Sequence, residues 1–156
     1  MENVSEDEKK AVEVTTELNE ASVGHEPEDL KQIHHKHMMV NAKVNNPIKT
    51  TEEAIEFLKN LVSRINMKII QGPFASYVDV PGNRGLTAIV MIETSHIAFH
   101  IWDEQDPSML QFDLYTCGWL IPYDVCKALE ERFEVVSMDW VLYDRQNGFV
   151  LEDQNI

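Results

Sequence analysis

A hydroxyl, two imidazoles, an indole and a thiol fall close together in the middle of this chain. They are Ser95-His96, His100, Trp102 and Cys117, the last inside the run Asp113-Leu114-Tyr115-Thr116-Cys117-Gly118. A hydroxyl can attack a carbonyl, an imidazole can take up a proton near neutrality, and a thiol with an ordinary pKa of about 8.5 can return one. Taken singly, each residue has a plainer reading. Ser-His pairs are common, and Ser95 could merely open a strand. Cys117 alone reads as a small buried hydrophobe at a strand end. Their joint spacing is what turns them into candidates for chemistry.

The flanking sequence supplies elements able to hold them. His37 to Val44 alternates apolar and polar residues in its later positions, as a half-buried strand does, and Asn45-Asn46-Pro47 ends it. Thr50 followed by Glu53 fits a capping box, and Ile55, Leu58, Val62 and Ile65 then recur at helical spacing, which predicts a helix over Thr51 to Ile65. Met67 to Ile70, Phe74 to Val80 and Leu86 to Ile92 read as strands, punctuated by Gly72-Pro73 and Pro81-Gly82-Asn83. His96 to Trp102 and Met109 to Thr116 read as two more, joined by a polar hairpin loop. Pro122, Val125, Cys126, Leu129 and Phe133 mark a second helix with Pro in its first turn, and Val135 to Tyr143 is expected to be the last strand. The expected fold class is α+β: a two-layer sandwich of a mainly antiparallel sheet backed by two helices. Its other face would stay bare in a monomer, so a homodimer with stacked sheets is expected.

Composition narrows the function classes. The formal net charge is −14, and no basic patch is present, which argues against nucleic acid as a partner. Half of that charge lies in residues 1–31, where ten Asp or Glu face three Lys. Residues 1–33, poor in large apolar side chains, are expected to be a disordered extension before a domain over residues 34–156. Nothing approaches the roughly 20 apolar residues of a membrane span, and the N-terminal stretch is too acidic for a signal or transit peptide, so a cytoplasmic protein with no membrane partner is expected. Cys117 and Cys126 are read as thiols, Cys126 on the apolar stripe of the second helix. His34, His35 and His37 invite a metal reading, but no Cys or carboxylate stands beside them at a recognised ligand spacing, and no metal is expected.

The Ser-His pair, the second His four residues after that pair's His, the Trp two further on and the Asp-x-Tyr-Thr-Cys-Gly strand together resemble the prokaryotic S-adenosylmethionine decarboxylases. The resemblance runs from about His37 to Phe149. It implies a proenzyme that cuts itself between Thr94 and Ser95 into a β chain of residues 1–94 and an α chain of residues 95–156. Ser95 would attack the preceding carbonyl, giving an ester that eliminates and hydrolyses to leave a pyruvoyl group. Only a β-hydroxyl can form that ester and then leave as a carboxylate. The ketone would condense with the substrate amine as a Schiff base and accept electrons during decarboxylation, with no metal and no pyridoxal phosphate. By the same resemblance His100 is the proton acceptor in processing, Cys117 the proton donor in turnover, and Thr87 the hydroxyl that supports the acyl shift. Tyr77 would stack on adenine, and Glu104 would accept from ribose.

The implied reaction converts S-adenosylmethionine to its decarboxylated form, the aminopropyl donor of spermidine synthesis, with release of carbon dioxide. Alternatives are the same pyruvoyl chemistry on arginine or ornithine, or a non-cleaving relative acting as a binding protein. Thr94 stands where most relatives have Glu, and Thr87 replaces a serine while keeping its hydroxyl. The loop between Trp102 and Asp113, with Asp103, Glu104 and Asp106, is longer than in those relatives.

Overall fold

The computed structural model describes residues 33–156, so the expected acidic extension lies, but for Ile33, outside the described residues. The elements are β1 (Lys36–Val44), α1 (Thr51–Arg64), β2 (Ile69–Val78), β3 (Gly85–Ile92), β4 (Ser95–Trp102), β5 (Ser108–Thr116), α2 (Pro122–Arg132), β6 (Val135–Asp144) and β7 (Val150–Gln154). The strands form one seven-stranded sheet in the order β2-β3-β4-β5-β1-β6-β7, with every pairing antiparallel. Two helices and an antiparallel sheet make the expected α+β sandwich.

Period-two patterning decides which face of the sheet is dry. Val40, Ala42 and Val44 on β1, Ala88 and Val90 on β3, and Leu110, Phe112 and Leu114 on β5 join the helices in one core. On α1 the buried residues are Ala54, Phe57, Leu58, Leu61 and Val62, a stripe at helical spacing. Ile55 and Ile65 border that stripe rather than lie within it. Phe57 meets Phe99 and Phe133 edge-on, with ring centroids 5.7 and 5.4 Å apart, which ties both helices to the middle of β4.

Helix α1 starts as the sequence predicts: Thr50 is extended, and its Oγ1 accepts a hydrogen bond from the Glu53 amide at 3.3 Å. α2 has Pro in its first turn and no side-chain cap. Two expectations are corrected. Gly72-Pro73 does not separate two strands. It lies within β2, whose pairing with β3 shifts register around Gln71 to Phe74, so the glycine and proline sit at a bulge. Nor is Val135 to Tyr143 the last strand, since β7 pairs with its outer edge. Every residue of β7 is exposed, so the alternation that marks a half-buried strand is missing there.

The second face of the sheet carries no helix among the described residues. It presents Ile89 and Met91 from β3, His96 and His100 from β4, and Asp113 and Tyr115 from β5.

Candidate active site

Ser95 opens β4 opposite Thr116, the last residue of β5. Its backbone stands at φ 147, a region L residues other than glycine rarely enter and which costs about 1–3 kcal/mol. The surrounding hydrogen bonds hold it there. The Cys117 amide donates to the Thr94 carbonyl at 2.9 Å, and the Gly118 amide donates to Oγ1 of the fully buried Thr116 at 3.0 Å. Thr94 packs over Gly118 so closely that a methyl group added there would lie 3.1 Å from Thr94 Cγ2. The carbonyl before Ser95 is therefore polarised by a backbone donor, beside a half-buried thiol.

The Ser95 hydroxyl is 3.4 Å from His96 Nδ1, and on the other side of that ring His96 Nε2 is 3.5 Å from Asp113 Oδ1. Burial pushes the Asp113 carboxyl up. The nearby His37, His96 and His100 outweigh that effect and hold it below the usual carboxylate value. Ser95, Thr94, His96 and Cys117 line an open cleft of about 720 Å³ with Ile89 and Met91 among its walls. Ile70, Phe74, Ile89 and Met91 are all exposed around it, an apolar patch on the uncovered side of the sheet.

The other residues singled out in the sequence fall elsewhere. His100 and Thr87 face each other across β3 and β4, with Thr87 Oγ1 3.0 Å from His100 Nδ1, and the His100 ring lies tilted 5.8 Å from Trp102. Five residue steps along the strand separate His100 from Ser95, roughly 16 Å at 3.3 Å per step. His100 instead lines a second cleft of about 560 Å³, with Asn41, Gln111, Asp113 and Asp139. Tyr77 packs against the helix-side core, and its hydroxyl donates to Asp103 Oδ2 at 2.8 Å. Glu104 accepts from the Gly82 and Arg84 amides at 2.9 and 3.3 Å, on the turn between β2 and β3. One protomer thus brings Ser95, Thr94 and Cys117 together and keeps Thr87, His100, Tyr77 and Glu104 apart from them.

Sequence reasoning missed three features. The sequence presents His96 only as half of a pair, and Asp113 only as part of a motif. Their contact follows from the β4–β5 register, which sets Ala98 opposite Asp113. Asp103 falls in a polar loop of the sequence, yet its side chain is 2% exposed and accepts from Arg84 Nε at 2.8 Å. The conformation of Ser95 has no signal in a residue type other than glycine. The neighbouring histidines have partners of their own: His35 Nδ1 is 2.8 Å from the Tyr115 hydroxyl, and His37 Nδ1 is 3.2 Å from an Arg145 nitrogen.

Residues 36–146 match the family model described as S-adenosylmethionine decarboxylase. Among curated proteins, the chain is 38% identical over 56 residues to an S-adenosylmethionine decarboxylase proenzyme of Acetivibrio thermocellus, covering 35% of this chain and 44% of that protein. The proenzyme of the same description from Pelotomaculum thermopropionicum is also 38% identical over 56 residues, with 35% and 43% covered. An arginine decarboxylase proenzyme of Aeropyrum pernix is 45% identical over 40 residues, with 25% and 29% covered. The aligned stretches thus span less than half the length of these curated relatives. The family model covers most of the described domain, from the start of β1 to just beyond β6, and the chain belongs to the S-adenosylmethionine decarboxylase family.

Proposed function

We propose that this chain is the proenzyme of a pyruvoyl-dependent decarboxylase that cuts itself between Thr94 and Ser95 and then acts on S-adenosylmethionine. The observation that carries this reading is the conformation of the bond itself. Ser95 is held at φ 147, and the Thr94 carbonyl before it accepts from the Cys117 amide. A strained peptide with its carbonyl already polarised is raised in energy toward attack by the adjacent hydroxyl. The residues fit the group: Ser95 has the β-hydroxyl from which a pyruvoyl group is made, and a thiol lies beside it. Once formed, that group would supply the electron sink for loss of the substrate carboxylate.

This chain's own residues then have separate tasks. Cys117 is the acid that protonates the product carbon. The apolar cleft walls at Ile89 and Met91, once covered, would keep water from it. His100, paired with Thr87, is the base for elimination of the ester, but it is out of reach of Ser95 in its own protomer. A second copy stacked on the open face resolves this. A two-fold axis lying between the stacked sheets over Ala98, at right angles to the strand, would bring His100 of one protomer over Ser95 of the other and cover the exposed apolar patch. Glu104 is proposed to act from the rim by exchanging its turn amides for ribose hydroxyls, whereas Tyr77, packed on the helix side, would have to leave Asp103 to stack on adenine. The product would be the aminopropyl donor for spermidine synthesis, made in the cytoplasm.

A second reading, decarboxylation of arginine by the same chemistry, is favoured by the similarity to the Aeropyrum arginine decarboxylase proenzyme. Release of labelled carbon dioxide from carboxyl-labelled S-adenosylmethionine and from arginine separates the two. Turnover of the first alone, by a species with the native mass of two chains, is the expected result. Turnover of arginine alone overturns the substrate, and an active monomer overturns the stacked assembly.

A further inference from the structure

The attacking hydroxyl needs a base, and the only imidazole in contact with it among the described residues is its own neighbour. His96 Nδ1 lies 3.4 Å from Ser95 Oγ, and the far nitrogen of the same ring, Nε2, lies 3.5 Å from Asp113 Oδ1. Ser95, His96 and Asp113 are thus in a line of nucleophile, base and carboxylate, while the Cys117 amide sits on the carbonyl to be attacked. We propose that His96 is the general base of the first step of self-cleavage, the acyl shift, and that Asp113 is a positioning residue fixing the tautomer with Nδ1 free. The inference rests on the self-cleaving reading and divides its proton transfers between two histidines.

The step balances within this chain. Nδ1 takes the Ser95 hydroxyl proton as Oγ bonds to the Thr94 carbonyl carbon. The resulting oxyanion is held by the Cys117 N–H. The C–N bond to Ser95 then breaks, and its nitrogen takes the proton back from the imidazolium, leaving an ester and an amine. Asp113 suits its role because its negative charge stabilises the imidazolium formed in between. The contacts at 3.4 and 3.5 Å are long for a relay, as catalytic hydrogen bonds often are before the reacting geometry is reached.

Competing partners leave the arrangement intact. His37 Nε2 is 3.9 Å from the same Asp113 oxygen, but its other nitrogen faces Arg145 and it does not contact Ser95. Tyr115 packs a tilted ring 6.0 Å from His96. Glu93, His35 and Cys117 are the other titratable groups lining the cleft.

Hydroxylamine cleaves esters and leaves amides, so it reports the first step apart from elimination. The full chain and its variants, made by cell-free translation, are followed by denaturing mass spectrometry with and without neutral hydroxylamine. His96→Gln is expected to slow cleavage in hydroxylamine about a hundredfold, the lower end of what a general base contributes, and Asp113→Asn to slow it less. His100→Asn is expected to block spontaneous cleavage yet still be cut by hydroxylamine. Imidazole added to His96→Gly is expected to restore cutting, which separates a lost base from a lost fold. His96→Gln cut by hydroxylamine at the wild-type rate would overturn the assignment, as would a folded His96→Gly that imidazole does not rescue. A wild-type chain that stays whole under both conditions would instead overturn the self-cleaving reading, and this inference with it.

Discussion

Ser95 and Gly118 exchange the conformations their residue types prefer. The serine stands at φ 147, whereas the glycine is needed for space, its missing methyl group leaving room for Thr94 Cγ2. An added Cβ would lie 3.1 Å from that methyl and 3.4 Å from Thr116 Oγ1, tight enough that Thr94 must shift by a few tenths of an ångström beside the Cys117 amide. Overpacking of this kind costs about 1–3 kcal/mol. Gly118→Ala is therefore expected to slow self-cleavage about tenfold, since roughly 1.4 kcal/mol is a factor of ten. Thr94→Ser in the same chain removes the clashing methyl and should restore the rate. A double variant as slow as Gly118→Ala would mean that the Thr94 contact is not what Gly118 protects.

At the scale of elements, the turn between β2 and β3 is fastened to the end of β4 by three consecutive residues. Trp102 Nε1 donates to Asn83 Oδ1 at 3.1 Å, Asp103 accepts from Arg84 and Tyr77, and Glu104 accepts from two turn amides. Burial pushes the Asp103 carboxyl up, but its bonds to Arg84 and Tyr77 hold it below its ordinary 3.8. A depressed folded-state pKa means stabilisation that is present above that ordinary value and fades as pH falls through the folded one. Asp103→Asn is expected to cost about 1–2 kcal/mol at pH 7, discounted because Arg84 is half exposed, and to weaken the acid sensitivity below about pH 4. Thermal melts of both proteins at pH 3 to 7 check this. Equal melting curves across that range would contradict it.

Much of this layer was legible in the sequence because it rests on local rules. The capping box at Thr50, the period-two runs of β1, β3 and β5, and Pro122 at the start of α2 all report themselves. Strand β7 did not, since it buries nothing. The Asp103 clasp and the His96–Asp113 contact did not either, because both depend on register between elements distant in the chain. The candidate residues Ser95, His100 and Cys117 came from a motif, which says what they are and not which of them meet. Only the sheet reveals that Ser95 and Cys117 are neighbours while His100 is not.

For the whole molecule, the open face is the unresolved demand of the fold. Ile70, Phe74, Ile89 and Met91 lie exposed on it beside Ser95, and both clefts open there. One stacked copy would cover the patch and complete the site, so assembly and maturation are linked in the proposed function. All of it depends on a single broken bond. The intact mass of the purified chain under denaturing conditions tests that most directly. The predicted result is two fragments, residues 1–94 and residues 95–156, the second lighter than its sequence mass because serine has become pyruvoyl. A single species of the full 18.0 kDa after prolonged incubation would contradict it.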